Sequence, residues 1–142
     1  MAKFIAHRGN TTGPKPDFEN TIDYMRSALN DGYDVECDLI MYDNQLYFGH
    51  DEPQEAVDLE FIHNSNVWCH AKNLDAMCVL IEMNTNAFWH QNDNITITTR
   101  NYIWCFPGIH INSRRAIWLD LHDRPLPNKI ENIHAICGDV AV

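Results

Sequence analysis

Positive charge is scarce in this 142-residue chain: ten Lys and Arg stand against twenty Asp and Glu, a net charge of −10. A nucleic-acid surface needs a basic stripe to neutralise phosphates, so no nucleic-acid partner is expected, nor a polybasic membrane patch. An anionic substrate would need a local reversal of the field, for which a bound divalent cation is the obvious device. Long apolar runs are also missing. None approaches the roughly 20 residues that cross a bilayer, and Met1-Ala2-Lys3-Phe4-Ile5-Ala6-His7 lacks the apolar centre of a signal peptide. The expectation is no membrane insertion and a cytoplasmic location. Five cysteines (Cys37, Cys69, Cys78, Cys105, Cys137) form no C-x-x-C pair. A zinc knuckle or disulfide framework is therefore not expected, and free buried thiols are. No repeat, low-complexity tract or linker divides the chain, so one domain spanning residues 1–142 is expected.

What remains is a chain able to bury a core, 45% apolar with six Phe, four Trp and five Tyr. Its first half alternates strand and helix. Lys3–His7 is a short apolar strand; Ile22, Met25, Ala28 and Leu29 recur at helical spacing, ended by Asn30-Asp31-Gly32; Tyr33–Ile40 is a buried strand. That order predicts a crossover between parallel neighbours. A hairpin turning at Asp43-Asn44 follows, then a strand at Val67–Ala71 and a helix capped by Asn73. The second half offers five further short strands, around residues 87–90, 95–98, 102–106, 116–119 and 134–137, with little helix between them. Trp89, Trp104, Phe106 and Trp118 are read as core packing that covers surfaces left bare by the missing helices.

Chemistry gathers at strand ends. Alternation puts Asp34, Glu36 and Asp38 on one face of their strand. Three carboxylates are costly to bury without a cation, and oxygen ligands suit Mg²⁺, Mn²⁺ or Ca²⁺. The alternative is an edge strand whose acidic face is simply wet. His70 and Lys72 share a face of the next strand; His7-Arg8 and His50-Asp51 also lie at or beyond strand ends. In parallel α/β folds the carboxyl-end rim is where ligands bind. His63, His90, His110, His122 and His134 have no motif support, and His122-Asp123 reads as a chance repeat of His50-Asp51.

His7-Arg8-Gly9, Phe18-Glu19-Asn20-Thr21, Val35-Glu36-Cys37-Asp38 and His50-Asp51, in this order, resemble the signature of glycerophosphodiester phosphodiesterases, within the phospholipase C-like phosphodiesterases. The final apolar run ending in Asp139 looks like that family's last strand. The resemblance implies an α/β fold, a (β/α) TIM-type barrel. At 142 residues, against about 250 for a full barrel, it must be abbreviated, with reduced helices in the second half, or incomplete and sealed in a homo-oligomer. It implies Glu36, Asp38 and His70 as metal ligands, Arg8 and Lys72 on the substrate phosphate, and His7 and His50 as general acid and base. Glu19 would orient Arg8 or a substrate hydroxyl, or serve only as a first-turn acid favourable to the helix dipole; Asp51 would hold one tautomer of His50, or only accept a turn hydrogen bond. The family's E-x-K segment reads His70-Ala71-Lys72 here, with His where Glu is expected. That exchange moves the preference toward Mn²⁺ or Zn²⁺ and away from Ca²⁺, or marks a lineage that lost its metal. Two functions follow: a metal-dependent phosphodiesterase acting on glycerophosphodiesters or related small phosphodiesters, or a degenerate phosphate- or metal-binding barrel without turnover.

Overall fold

Side chains of β1 (Lys3–His7) alternate between two apolar layers, Phe4 and Ala6 in one and Ile5 in the other. This alternation organises the whole sheet. The computed structural model describes residues 2–121 and 124–141. The His122-Asp123 dipeptide lies outside the described residues. After β1 come α1 (Ile22–Asn30), β2 (Asp34–Tyr42), β3 (Gln45–Phe48), β4 (Glu55–Ala56), α2 (Leu59–Ile62), β5 (Val67–Ala71) and α3 (Leu74–Glu82). Then follow β6 (Ala87–Phe88), β7 (Ile95–Ile97), β8 (Ile103–Cys105), β9 (Ala116–Asp120) and β10 (Ala135–Gly138).

The strands form one sheet in the order β4-β3-β2-β1-β10-β9-β8-β7, with β5 added to β2 and β6 to β5. Pairing is parallel from β6 through β5, β2, β1, β10 and β9 to β8, and antiparallel for β3, β4 and β7. Long β2 makes this branching possible. Its residues Asp34–Glu36 pair with β1, Val35–Leu39 pair with β5, and Leu39–Tyr42 turn away to pair with β3.

The result is a curled, mixed ten-stranded half-barrel, which corrects the expectation of an abbreviated (β/α) TIM-type barrel. Such a barrel needs helices alternating with its strands. Here the last helix ends at Glu82, and β6 to β10 follow one another without any helix among the described residues. Pro107-Gly108, Pro125 and Pro127 in those connections resist helix formation. No helix among the described residues is long and apolar enough to cross a membrane.

Two layers hold the curl. Outside, α1 and α3 place Met25, Ala28, Ala76 and Leu80 against Phe4, Val35, Leu39 and Ala71. Inside, Ile5, Trp68, Phe88, Trp104, Ile117 and Cys137 fill the lumen, with Phe88 and Trp104 stacked at 4.1 Å. Where the outer helices stop, loop residues Ile109, Leu126 and Ile133 pack on Trp118 and Ile136 instead. Trp118 Nε1 donates to the Ile111 carbonyl at 2.8 Å, tying the loop to β9.

Candidate active site

One end of the lumen is polar because the inward positions at the carboxyl ends of β1, β2 and β5 are polar. Parallel register sets His7 opposite Glu36, and Asp38 opposite His70. Glu36 and Asp38 are 2% and 1% exposed, so β2 is no wet edge strand. Asp34, on the same face, stays apart from them: it accepts from Trp68 Nε1 at 3.1 Å.

His70 Nδ1 lies 3.4 Å from both Glu36 Oε2 and Asp38 Oδ1, and the three side chains offer ligand atoms all within 4.8 Å of one another. Donors bound to one small ion at about 2.1 Å stand about 3 Å or slightly more apart. The donor set therefore fits a divalent cation. Asp38 makes the case sharper. Its Oδ2 accepts from Asn20 Nδ2 at 3.0 Å and lies 2.9 Å from Arg8 Nε, an ion pair not aligned as a hydrogen bond. Its Oδ1 is buried with no hydrogen-bond partner. An orphan buried acceptor costs about 1–3 kcal/mol, more when charged; a cation beside it removes that cost. Burial alone would raise the Glu36 pKa, but His70, His7 and Arg8 outweigh it and hold the carboxyl well below the ordinary range.

His7 gives its Nδ1–H to Asp139 Oδ1 at 2.8 Å, which leaves Nε2 as its free ring nitrogen. Burial works against its positive charge, yet the Asp139 hydrogen bond and the Glu36 charge prevail and raise its pKa above 6.5. His50 Nδ1 is likewise 2.8 Å from Asp51 Oδ1, at the exposed rim. Gly49, just before it, has no room for a side chain, since a Cβ would collide with the Glu52 carbonyl oxygen.

Arg8 adopts a left-handed backbone, φ 55°, and its amide donates to Glu36 at both the carbonyl oxygen (2.9 Å) and Oε1 (3.3 Å). Glu19 accepts from Arg8 Nη1 at 3.3 Å, from Asn10 at 3.0 Å and from the Lys15 amide at 2.8 Å. It therefore orients the guanidinium from behind. Lys72 has no carboxylate partner among the described residues.

His7, Arg8, Glu36, Asp38, His50, His70 and Lys72 all line a single cavity of about 230 Å³. Of the sequence-derived candidates, Glu19 and Asp51 stand behind it and Asp34 lies away from it. Sequence reasoning gave no site role to His90, nor to Asn20 and Asp139, which it met only within segments that resemble the family. Asp139 is 132 residues from its partner His7, a pairing that only the β1–β10 register reveals. Asn20, at φ 62°, accepts from the Asp38 amide at its Oδ1 (2.9 Å) and donates its Nδ2–H to Asp38 Oδ2, so the Glu19-Asn20 segment braces both Arg8 and Asp38. His90 also lines the cavity, stacked on His70 at 4.9 Å, with its Nδ1 buried and unpartnered. A histidine two residues beyond a two-residue strand carries no sequence signal. Comparison with protein-family models, curated proteins and solved structures finds no match to this chain.

Proposed function

We propose that this chain is a metal-dependent phosphodiesterase acting on glycerophosphodiesters or related small phosphodiesters. The reading is carried by one observation: two imidazoles, two fixed cations and the Glu36–Asp38–His70 cluster converge on one small cavity. It agrees with the resemblance of the His7-Arg8, Glu19-Asn20, Glu36-x-Asp38 and His50-Asp51 segments to glycerophosphodiester phosphodiesterases.

Glu36, Asp38 and His70 would hold the ion, which when bound supplies charge neutralisation at a phosphate oxygen and lowers the pKa of a hydroxyl beside it. Four carboxylates (Glu19, Glu36, Asp38, Asp139) otherwise outnumber Arg8 and Lys72 around the network, a field that repels phosphate. Arg8 and Lys72 bind the non-bridging oxygens and offset the charge that develops on them. His7 and His50 each have Nδ1 committed to a carboxylate and Nε2 free for substrate. One accepts the proton of the substrate hydroxyl next to the phosphate as that oxygen bonds to phosphorus. The other delivers a proton to the departing alcohol oxygen as its bond to phosphorus breaks. A cyclic phosphate results, which water opens by the reverse proton movements. Free thiols at all five cysteines suit a reducing, cytoplasmic setting.

The test is a panel of Mg²⁺, Mn²⁺, Ca²⁺ and Zn²⁺ with glycerophosphoethanolamine. Metal-dependent release of ethanolamine is expected, lost by about 10²-fold or more in Glu36→Gln, His70→Ala and His7→Ala. Protein inert with every ion and several diesters, yet still binding metal or phosphate, would favour a binding role without turnover.

A further inference from the structure

The cavity has two unlike sides. Every carboxylate, imidazole, guanidinium and amine on it comes from β1, β2 and β5 or from the residues just after β1, β3, β5 and β6, whereas the ends of β8 and β9 contribute Trp104, Cys105, Phe106, Pro107, Leu119 and Leu121. That second side offers no carboxylate, amine, amide or hydroxyl side chain among the described residues. It is also incompletely covered: Phe106 is 44% exposed, and Leu119 and Leu121 are half-buried. From the sheet order, β8 and β9 lie across the curl from β2 and β5, so a phosphate held by Arg8 and Lys72 would direct one ester substituent onto this wall.

We infer that the apolar wall is a subsite for an aliphatic ester substituent, so that the preferred substrate is a phosphodiester with an alkyl alcohol rather than a polyol or charged headgroup. The inference rests on the phosphodiesterase reading for the phosphate's position. Its physical basis is separate. A hydroxylated or ionic group placed on this wall would lose water and find no side-chain partner beyond the Trp104 indole N–H and the weakly polar Cys105 thiol. An alkyl chain covers surface that is otherwise wet, about 0.8 kcal/mol per methylene buried, or roughly fourfold in affinity. The small volume favours a short chain or one that runs out past exposed Phe106.

The experiment has two arms. Calorimetry with ethyl, butyl, hexyl and octyl phosphate, in the presence of Mg²⁺ or Mn²⁺ and below any micelle formation, reads the wall without turnover. The dissociation constant should fall at least about 30-fold from ethyl to hexyl, and Leu119→Asn and Phe106→Ser should each flatten that slope. A slope of zero in the unmodified protein overturns the inference. In the second arm, glycerophosphohexanol and glycerophosphoethanolamine are compared as substrates, with kcat/KM expected at least 10-fold higher for the hexyl ester. Equal values would overturn the wall assignment while leaving the phosphodiesterase reading intact. Chain-length-dependent binding with no turnover of either ester would do the opposite.

Discussion

At the scale of single residues, Asp38 Oδ1 is the atom that most needs an explanation: an acceptor with no donor, beside an imidazole nitrogen at 3.4 Å and a second buried carboxylate. Its neighbour His7 depends on Asp139 in turn. Asp139→Asn should lower kcat by about 10²-fold or more with KM little changed, because the Nδ1–H loses its anionic acceptor and Nε2 its fixed role. Stopped assays of the two parameters separately check this. At the other end of the lumen, burial and the Lys3 charge depress the His134 pKa below 6.5, against a smaller opposing pull from Asp34. The unfolded chain then takes up the proton at higher pH than the folded one. His134 therefore contributes stability that is full above pH 6.5 and lost as pH falls through that value toward the folded pKa. Urea midpoints of the protein and of His134→Gln should converge or cross between pH 7.5 and 5.5, with the unmodified protein losing more; parallel curves would contradict this. Residue types were legible where a local motif framed them, as for His7-Arg8 and Glu36-x-Asp38. His90 was not, since nothing near it in the chain distinguishes a site residue from a strand end, and Asp139, though it ends a strand that resembles the family's last, gave no sign of its pairing with His7.

At the scale of elements, the segment between β1 and α1 carries much of the site. Asn20 combines a left-handed backbone with two hydrogen bonds to Asp38. Asn20→Ala should cost about 2–4 kcal/mol, from the bonds and the unfavourable φ together. Asn20→Gly, which restores the φ but not the bonds, should cost less. Urea denaturation of both separates the two contributions. Elements were readable in proportion to their length and punctuation. The Asp43-Asn44 turn was visible because both residues tolerate positive φ, and both adopt it, at 49° and 63°. The Asn73 cap was visible too, and its side chain accepts from the Ala76 amide at 3.0 Å. By contrast, β4 has two residues and α2 four, too few to show any period.

At the scale of the molecule, the abbreviated or incomplete TIM-type barrel was expected from the family resemblance carried by the first fifty-one residues. The late strands anticipated from the sequence exist, but their partners and their loop covering are tertiary choices: Ile109, Leu126 and Ile133 replace helices, and β7 turns antiparallel. The Glu36–Asp38–His70 cluster and the His7–Asp139 pair survive that difference because they depend only on β1, β2, β5 and β10 lying side by side. A cation there also links the site to global stability. At one hundred times its dissociation constant, the ion adds about 2.7 kcal/mol, raising Tm by roughly 5–10 °C for a chain of this size. Glu36→Gln combined with Asp38→Asn should abolish the shift.

The most direct measurement is a crystal structure of the protein soaked in Mn²⁺, with anomalous scattering to locate the ion. The account predicts one peak bonded to Glu36, Asp38 and His70 Nδ1 together. An ion bound elsewhere, or His70 turned away from an ion held by the two carboxylates alone, would contradict it.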